Sequence, residues 1–512
     1  MKYDVVVATL AVALGLNILF KRATARVAPT GILYYCEQLI AMRNKLQIFT
    51  NFANTLLPHE TRYLLTVQQL ADQVKLGILE RVDYNCQHIN QFTPYDPNID
   101  KRKYSHLKNW VQQRLTELDV DAHFEWMSTL ERQITTDAIE AEEEKTLLRE
   151  IRQYQHPGFF FTKFYELVQQ YRHFLLIRMR YADHETVHKF LETYQEAYAN
   201  SKRISEQFHQ ATLDIVKQYS ENSAESIQWE KWLTRIFYDE TLEGYTRYMA
   251  FVRLTFISFN YRKLDLLGEK FAYLDRIFGE GKFYSKRILL NYYHLRMLLH
   301  ARLREFDKAI HYGYLSIRGK THDYLFYVNN LGAVLLRGNK PQEALTMMRN
   351  AAPEMKSSQN FYNKVGFVAF YIKCLLQNQM LRNAESYAET FLSAYEKEVL
   401  QYRWHTFFTA YMGALLSQRK FQKMIRVTTK YRLLDLEKGY ETRPDYVPAL
   451  LWYTSIAQYK EEIIDKNTLQ RRLQDYFNAH RGEKDRSHQI GELLNELKPH
   501  APEVINYLQI WT

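Results

Sequence analysis

Glycine and proline are scarce in this chain, 17 and 11 of 512 residues, together about half of average usage. An all-β domain joined by tight hairpins needs glycine where φ is positive and proline in its turns, so many short strands are not expected. Cysteine is rarer still. Cys36, Cys86 and Cys374 are odd in number, far apart and form no CxxC pair, which argues against a disulfide framework or a cysteine zinc site and fits a reducing compartment. Charge of one sign is also lacking. Against 58 Asp plus Glu stand 68 Lys plus Arg, a net +10 spread along the chain, with Lys101-Arg102-Lys103 as the longest basic cluster. That excess permits contact with nucleic acid or an anionic membrane without defining a phosphate site. No P-loop, GxGxxG or GxSxG motif occurs, so nucleotide use and α/β-hydrolase chemistry have no support.

What is abundant favours helix. Gln, Glu, Lys, Leu and Arg come in long runs, and these are good helix formers. With 46% apolar and 25% charged residues the chain is globular and long enough for a large core. The expected class is all-α. Apolar residues at three and four spacing predict helices over 31–57, 60–82, 106–118, 159–180 and 183–219. Residues 135–152 carry Glu140, Glu142, Glu143 and Glu144 ahead of Lys145, Arg149 and Arg152, the order that suits an exposed helix. Linkers are expected at 93–98 (TPYDPN) and 220–226 (SENSAES).

Residues 5–20 (VVVATLAVALGLNILF) are uncharged and followed by Lys21, Arg22 and Arg26. As a helix they span about 24 Å, short of a hydrocarbon core about 30 Å thick. Asp4, and Lys21-Arg22 ahead of Ala23-Thr24-Ala25, do not suit a secretory signal. Two readings stand, a buried apolar helix and a membrane anchor, and in the second the basic flank keeps the rest of the chain cytoplasmic.

A repeat emerges further on. Leu335-Leu336 precede Ala344 in LLRGNKPQEA, Leu375-Leu376 precede Ala384 in LLQNQMLRNA, and Leu415-Leu416 precede Met424 in LLSQRKFQKM. The units recur every 40 residues. A looser copy leads through Leu298-Leu299 to Ala309, and a fainter one lies at Tyr261 to Leu264. A fixed period of this size predicts stacked helical hairpins, none able to bury its apolar face alone. In Tyr324–Arg337, Tyr324, Val328, Leu331 and Leu335 share one face, with Asn329, Asn330, Ala333 and Arg337 elsewhere. Gly332 permits close approach of a partner helix, and Pro341 suits a first turn.

At these residues the chain resembles the tetratricopeptide-repeat family, whose unit carries a Leu-Gly pair in its first helix and an alanine after the turn. Leu331-Gly332 and Ala344 match, as does Ala351 to the family's later small residue. The chain departs from the family in its period of 40 against about 34, in Ile372 and Met412 where Gly332 stands, and in Met424 for the alanine. The resemblance covers residues 245–435. It implies an α-solenoid whose first helices line a groove for a peptide or protein segment, with Asn291, His294, Arg302, Phe326, Asn329, Asn330, Arg337, Lys373 and Gln377 facing inward as hydrogen-bond donors and contacts. The 39 tyrosines suit binding surfaces as well as packing between helices.

The expected organisation is thus an apolar segment at 1–30, a helical region of unassigned family at 31–220, helical repeats at 227–435 and a C-terminal helical cap at 436–512. Two other functions compete with a binding scaffold. His184-Glu185-Thr186-Val187-His188 matches HExxH, in which two histidines on one helix face grip zinc and the glutamate polarises its water; Glu206 is the nearest candidate third ligand. Thr66-Val67-Gln68-Gln69-Leu70-Ala71 has the look of the first helix of a helix-turn-helix, as in a nucleic-acid-binding regulator, although Lys75 stands where a turn glycine is expected and Gly77 comes two residues late. The reading preferred on the sequence is a non-enzymatic scaffold or adaptor, cytoplasmic, with a protein or peptide partner and with no cofactor, metal or small-molecule substrate assigned.

Overall fold

The computed structural model describes residues 46–88, 91–221, 225–441, 446–479 and 484–509. The apolar segment 5–20, with its two readings, lies outside the described residues. No described helix is long and apolar enough to cross a membrane. Among the described residues there are 26 α-helices and no strand, the all-α class expected. The chain divides into two compact units, one ending at Leu118 and the other beginning at Asp119.

The first unit holds α1 (Gln47–Ala53), α2 (Pro58–Val67), α3 (Gln73–Gln87) and α4 (Lys101–Leu118). Pro58 opens α2, and the Glu60 carboxylate accepts the Leu57 N–H at 2.7 Å, satisfying a donor that the helix start would leave bare. Helix α4 packs on the other three around Phe49, Leu64, Leu79, Val82, Leu107 and Val111, all buried. The continuous helix predicted over 60–82 is interrupted at 68–72. Gln68 Oε1 accepts the Leu70 N–H at 2.9 Å and Asp72 Oδ1 accepts the Val74 N–H at 3.0 Å, so local side-chain bonds replace the helical ladder and Asp72 caps α3. The linker at 93–98 is pinned. Asn85 Nδ2 donates to the Thr93 carbonyl (2.8 Å), the Thr93 N–H donates to Asn85 Oδ1 (2.7 Å), and the Tyr104 hydroxyl donates to the Asp96 carbonyl (2.9 Å).

The second unit opens with α5 (Val120–Thr135), α6 (Ala141–Gln153), α7 (Phe161–Ile177) and the 41-residue α8 (Tyr181–Glu221). Helix α7 packs between α5 and α8 on a core of Leu130, Leu147, Leu167, Val168, Tyr171 and Val187. The acidic helix is less exposed than its charge suggests, because Leu147, Leu148 and Ile151 of α6 are buried.

From there the helices come in pairs. They are α9 (Glu230–Tyr238) with α10 (Gly244–Asn260), then α11 (Leu267–Gly279), α12 (Lys286–Arg302) with α13 (Phe306–Ser316), and α14 (Tyr324–Arg337) with α15 (Pro341–Asn350). Next are α17 (Phe361–Gln377) with α18 (Leu381–Ala394), α20 (Trp404–Ser417) with α21 (Phe421–Lys430), and α23 (Ala449–Lys460) with α24 (Lys466–Ala479). Between pairs lie α16 (Ala352–Ser357), α19 (Glu396–Gln401) and α22 (Leu433–Lys438), of six residues each. Helices α25 (Lys484–Leu497) and α26 (Pro502–Gln509) close the described chain. Each opening helix packs on its own partner and on the next opener, in the series α12, α14, α17, α20, α23.

The joints within pairs repeat in backbone detail. Asn339, Gln379 and Arg419, 40 residues apart, have φ of 56°, 59° and 56°. After each, an N–H reaches back five residues: Lys340 to Leu335 O (2.9 Å), Met380 to Leu375 O (2.9 Å) and Lys420 to Leu415 O (3.0 Å). This closes the helix end with a left-handed residue. Arg304 (φ 62°), with Glu305 N–H to His300 O, and Glu462 (φ 58°), with Ile463 N–H to Gln458 O, repeat the geometry on either side. Adjacent joints are also tied, Asn378 Nδ2 donating to Pro341 O (2.8 Å) and Gln418 Nε2 to Leu381 O (3.3 Å). Leu335, Leu375, Leu415, Ala344, Ala384 and Met424 are all buried. A Cβ on Gly332 would stand 3.3 Å from the Met348 sulfur, which is the close helix approach expected there.

Candidate partner-binding surface

The nine residues singled out from the resemblance form two groups, with Asn329, Arg302 and Gln377 apart from both. Asn291, His294, Phe326 and Asn330 gather between α12 and α14. Asn291 Oδ1 accepts the Tyr248 hydroxyl (2.7 Å), and its Nδ2 donates to the Tyr327 hydroxyl (3.2 Å). His294 is 1% exposed, stacks on Tyr327 with centroids 4.4 Å apart, and packs against Phe326 at 5.2 Å. Burial pushes its imidazole down to about 3, so it is neutral at ordinary pH. Asn330 Nδ2 donates to the Phe326 carbonyl at 3.1 Å and lies 3.5 Å from His294 Nε2. Asn329, placed by the helical pattern away from the apolar face, is 1% exposed. Its Nδ2 donates to the Asn363 carbonyl of α17 at 2.9 Å, which makes it a tie between openers. His294 and Asn329 are thus enclosed side chains, where the resemblance implied inward-facing contacts.

Arg302 lies apart, its guanidinium 4.2 Å from the Phe259 ring centre, and Gln377 is exposed at the end of α17. The second group joins Arg337 and Lys373. Arg337 ends α14 with a solvent-exposed side chain, and Glu492 acts on it electrostatically. Lys373, on α17, interacts with Glu496 and Glu492, and with the like charges of Arg337 and Arg403. Arg403, at φ 51° before α20, stacks on Tyr362 with 4.6 Å to the ring centre. Only a glycine at 366 leaves room for it, because a Cβ there would collide with the guanidinium. Sequence reasoning missed Arg403, Tyr453, Glu492 and Glu496. The signal available was the pair of glutamates four apart among leucines in GELLNEL.

His184 and His188 lie in the first turns of α8, rings stacked with centroids 5.9 Å apart, and His188 Nε2 is 3.3 Å from Glu192. The helix begins at Tyr181, and Asp183 in its first turn accepts from Arg180 at 2.8 Å. Because α8 is one continuous helix, Glu206 stands about 27 Å along its axis from His188 and cannot join it on one metal. Among the described residues no three His, Cys, Asp or Glu converge as a metal site. The helix-turn-helix reading also changes: Gln68 to Ala71 lie outside any helix, held in the capped break before α3. The chain matches no family model, and no curated protein or solved structure is detectably similar to it.

Proposed function

We propose that the chain is a non-enzymatic interaction protein whose paired helices form a tetratricopeptide-like α-solenoid, binding a protein or peptide segment on the face that carries Arg337, Lys373 and Arg403. The observation that supports this best is the left-handed joint at Asn339, Gln379 and Arg419, repeated with the same backbone bond and the same buried leucine. Such repetition suits units that stack on their neighbours. The six-residue helices α16 and α19 after each pair account for a period of 40 against the family's about 34. The cationic cluster supplies donors for carboxylates or backbone carbonyls.

The test uses a partner recovered by pull-down. Arg337→Ala with Lys373→Ala should weaken its binding about ten- to a hundredfold, roughly 1.4–2.8 kcal/mol, at unchanged helicity. The control pair is Asn339→Gly with Lys340→Ala, since glycine keeps the left-handed joint, and it should change affinity little. Binding lost in the control and kept in the first pair would place the site off this face.

A further inference from the structure

The chain's own α25 already lies beside part of the cationic face. Ile490, Leu493, Leu494 and Leu497 of α25 are buried in the same core as α20 and α23. Glu492 and Glu496, one helical turn apart, reach the opening helices. Glu496 Oε2 accepts the Tyr453 hydroxyl of α23 at 2.8 Å, and Oε1 lies 3.1 Å from where a Cβ on Gly413 of α20 would stand. Glu496 and Glu492 act electrostatically on Lys373 of α17, and Glu492 on Arg337 of α14. One short helix therefore touches two successive openers and acts by charge on the two before them, as a helical ligand laid in a groove does.

Its fit is imperfect in a telling way. A close ion pair lowers the acid's pKa and raises the base's. Here Glu496 is raised while Lys373 and Arg337 are lowered, burial being the leading cause in each. The attraction of Lys373 for Glu496 and of Glu492 for Arg337 acts against that burial. The side chains of Arg337, Glu492 and Glu496 also keep contact with solvent, so their attraction is screened. The occupant is held and can be displaced.

We infer that α25 is a built-in occupant of this face, and that the external partner is an acidic helical segment, with two carboxylates one turn apart beside leucines, which must displace it. The inference rests on the reading of the face as a binding surface.

The test uses the full chain and a labelled peptide of residues 484–500. In Glu492→Gln with Glu496→Gln, which preserves shape, backbone amides of 490–497 should exchange about tenfold faster while α20 and α23 stay protected. The peptide should bind this variant about tenfold tighter than it binds the wild type, because the face is then open for a larger fraction of the time. A peptide with both glutamates changed to Gln should bind about tenfold more weakly than the native peptide. Gly413→Ala, which crowds Glu496 without altering α25, should speed exchange in the same direction. Unchanged exchange in both variants, or equal peptide binding by wild type and variant, overturns the inference. A pulled-down partner lost in Arg337→Ala with Lys373→Ala but indifferent to the glutamate variant would leave the binding surface standing and remove α25 as its occupant. A partner lost only in the joint variant would remove both.

Discussion

His294 illustrates what a single buried residue does to the pH response. Its folded pKa is depressed to about 3 from 6.5 by burial. Between those values the unfolded chain takes up a proton that the folded chain refuses. The contribution is therefore whole above about pH 6.5 and is lost as pH falls toward 3, at up to about 1.4 kcal/mol per pH unit. His294→Gln should be less stable than wild type at pH 7, and the gap should narrow at pH 6 and pH 5 in urea unfolding. A gap independent of pH would mean that the imidazole charges freely in the fold. Gly366→Ala belongs to the same scale. A methyl there displaces the mobile end of Arg403 from Tyr362 while alanine gains up to about 1 kcal/mol as a helix former, so stability should change by less than about 1 kcal/mol by the same urea method. The sequence pattern assigned Asn329 to an open face because a helical wheel assumes one buried side. An opener packed between two other openers is covered on more sides than one, so this asparagine is enclosed and hydrogen-bonded.

At the level of helices and joints, the left-handed positions are held by Asn, Gln and Arg, not by glycine. Gly338 sits one residue before Asn339 with φ −78°, so the glycine that draws the eye in RGNK is not the residue that turns the chain. Replacing Arg419 by Gly relieves about 1–2 kcal/mol of left-handed strain and gives back about 0.4–1 kcal/mol through a more flexible unfolded chain. The net expectation is a gain of roughly 0.5 kcal/mol in thermal or urea unfolding. Loss of stability would mean that the Arg419 side chain is itself a tie. Asn378→Ala removes the bonds to Pro341 and Cys374 carbonyls and should cost about 1 kcal/mol. The repeat was legible because leucine pairs and small residues mark the joints. The short helices α16, α19 and α22 were not, since six residues make too few turns for a periodic signal. The break at 68–72 was hidden because apolar spacing continues through it while Gln68 and Asp72 capture the backbone.

For the molecule as a whole, the all-α class followed from composition and periodicity, yet the division at Leu118 and Asp119 leaves no mark in composition. Asp119 merely caps α5, accepting the Asp121 N–H at 2.9 Å, and no Pro, Gly or Ser cluster surrounds it. The approach of α25 to Lys373 was equally illegible, because it joins residues more than a hundred positions apart. A stacked array, as proposed for the paired helices, responds locally to damage. Leu375→Ala should cost about 2–5 kcal/mol and raise hydrogen exchange in α14, α17 and α20, with α7 and α8 unchanged. Uniform acceleration through α7 and α8 would show one cooperative body instead of a row of neighbours.

The two cysteines among the described residues have a consequence of another kind. Cys86, in the first unit, is buried and donates to the Leu56 carbonyl at 3.0 Å; Cys374, in the second, is buried with its thiol pushed up to about 12. Only a thiolate attacks an aromatic disulfide reagent, so neither reacts until its surroundings part. In a Cys36→Ser background the chain then carries one stopwatch per unit, started by the reagent and read by mass at each cysteine. Two different labelling rates would time two separate openings, and one shared rate would time a single event.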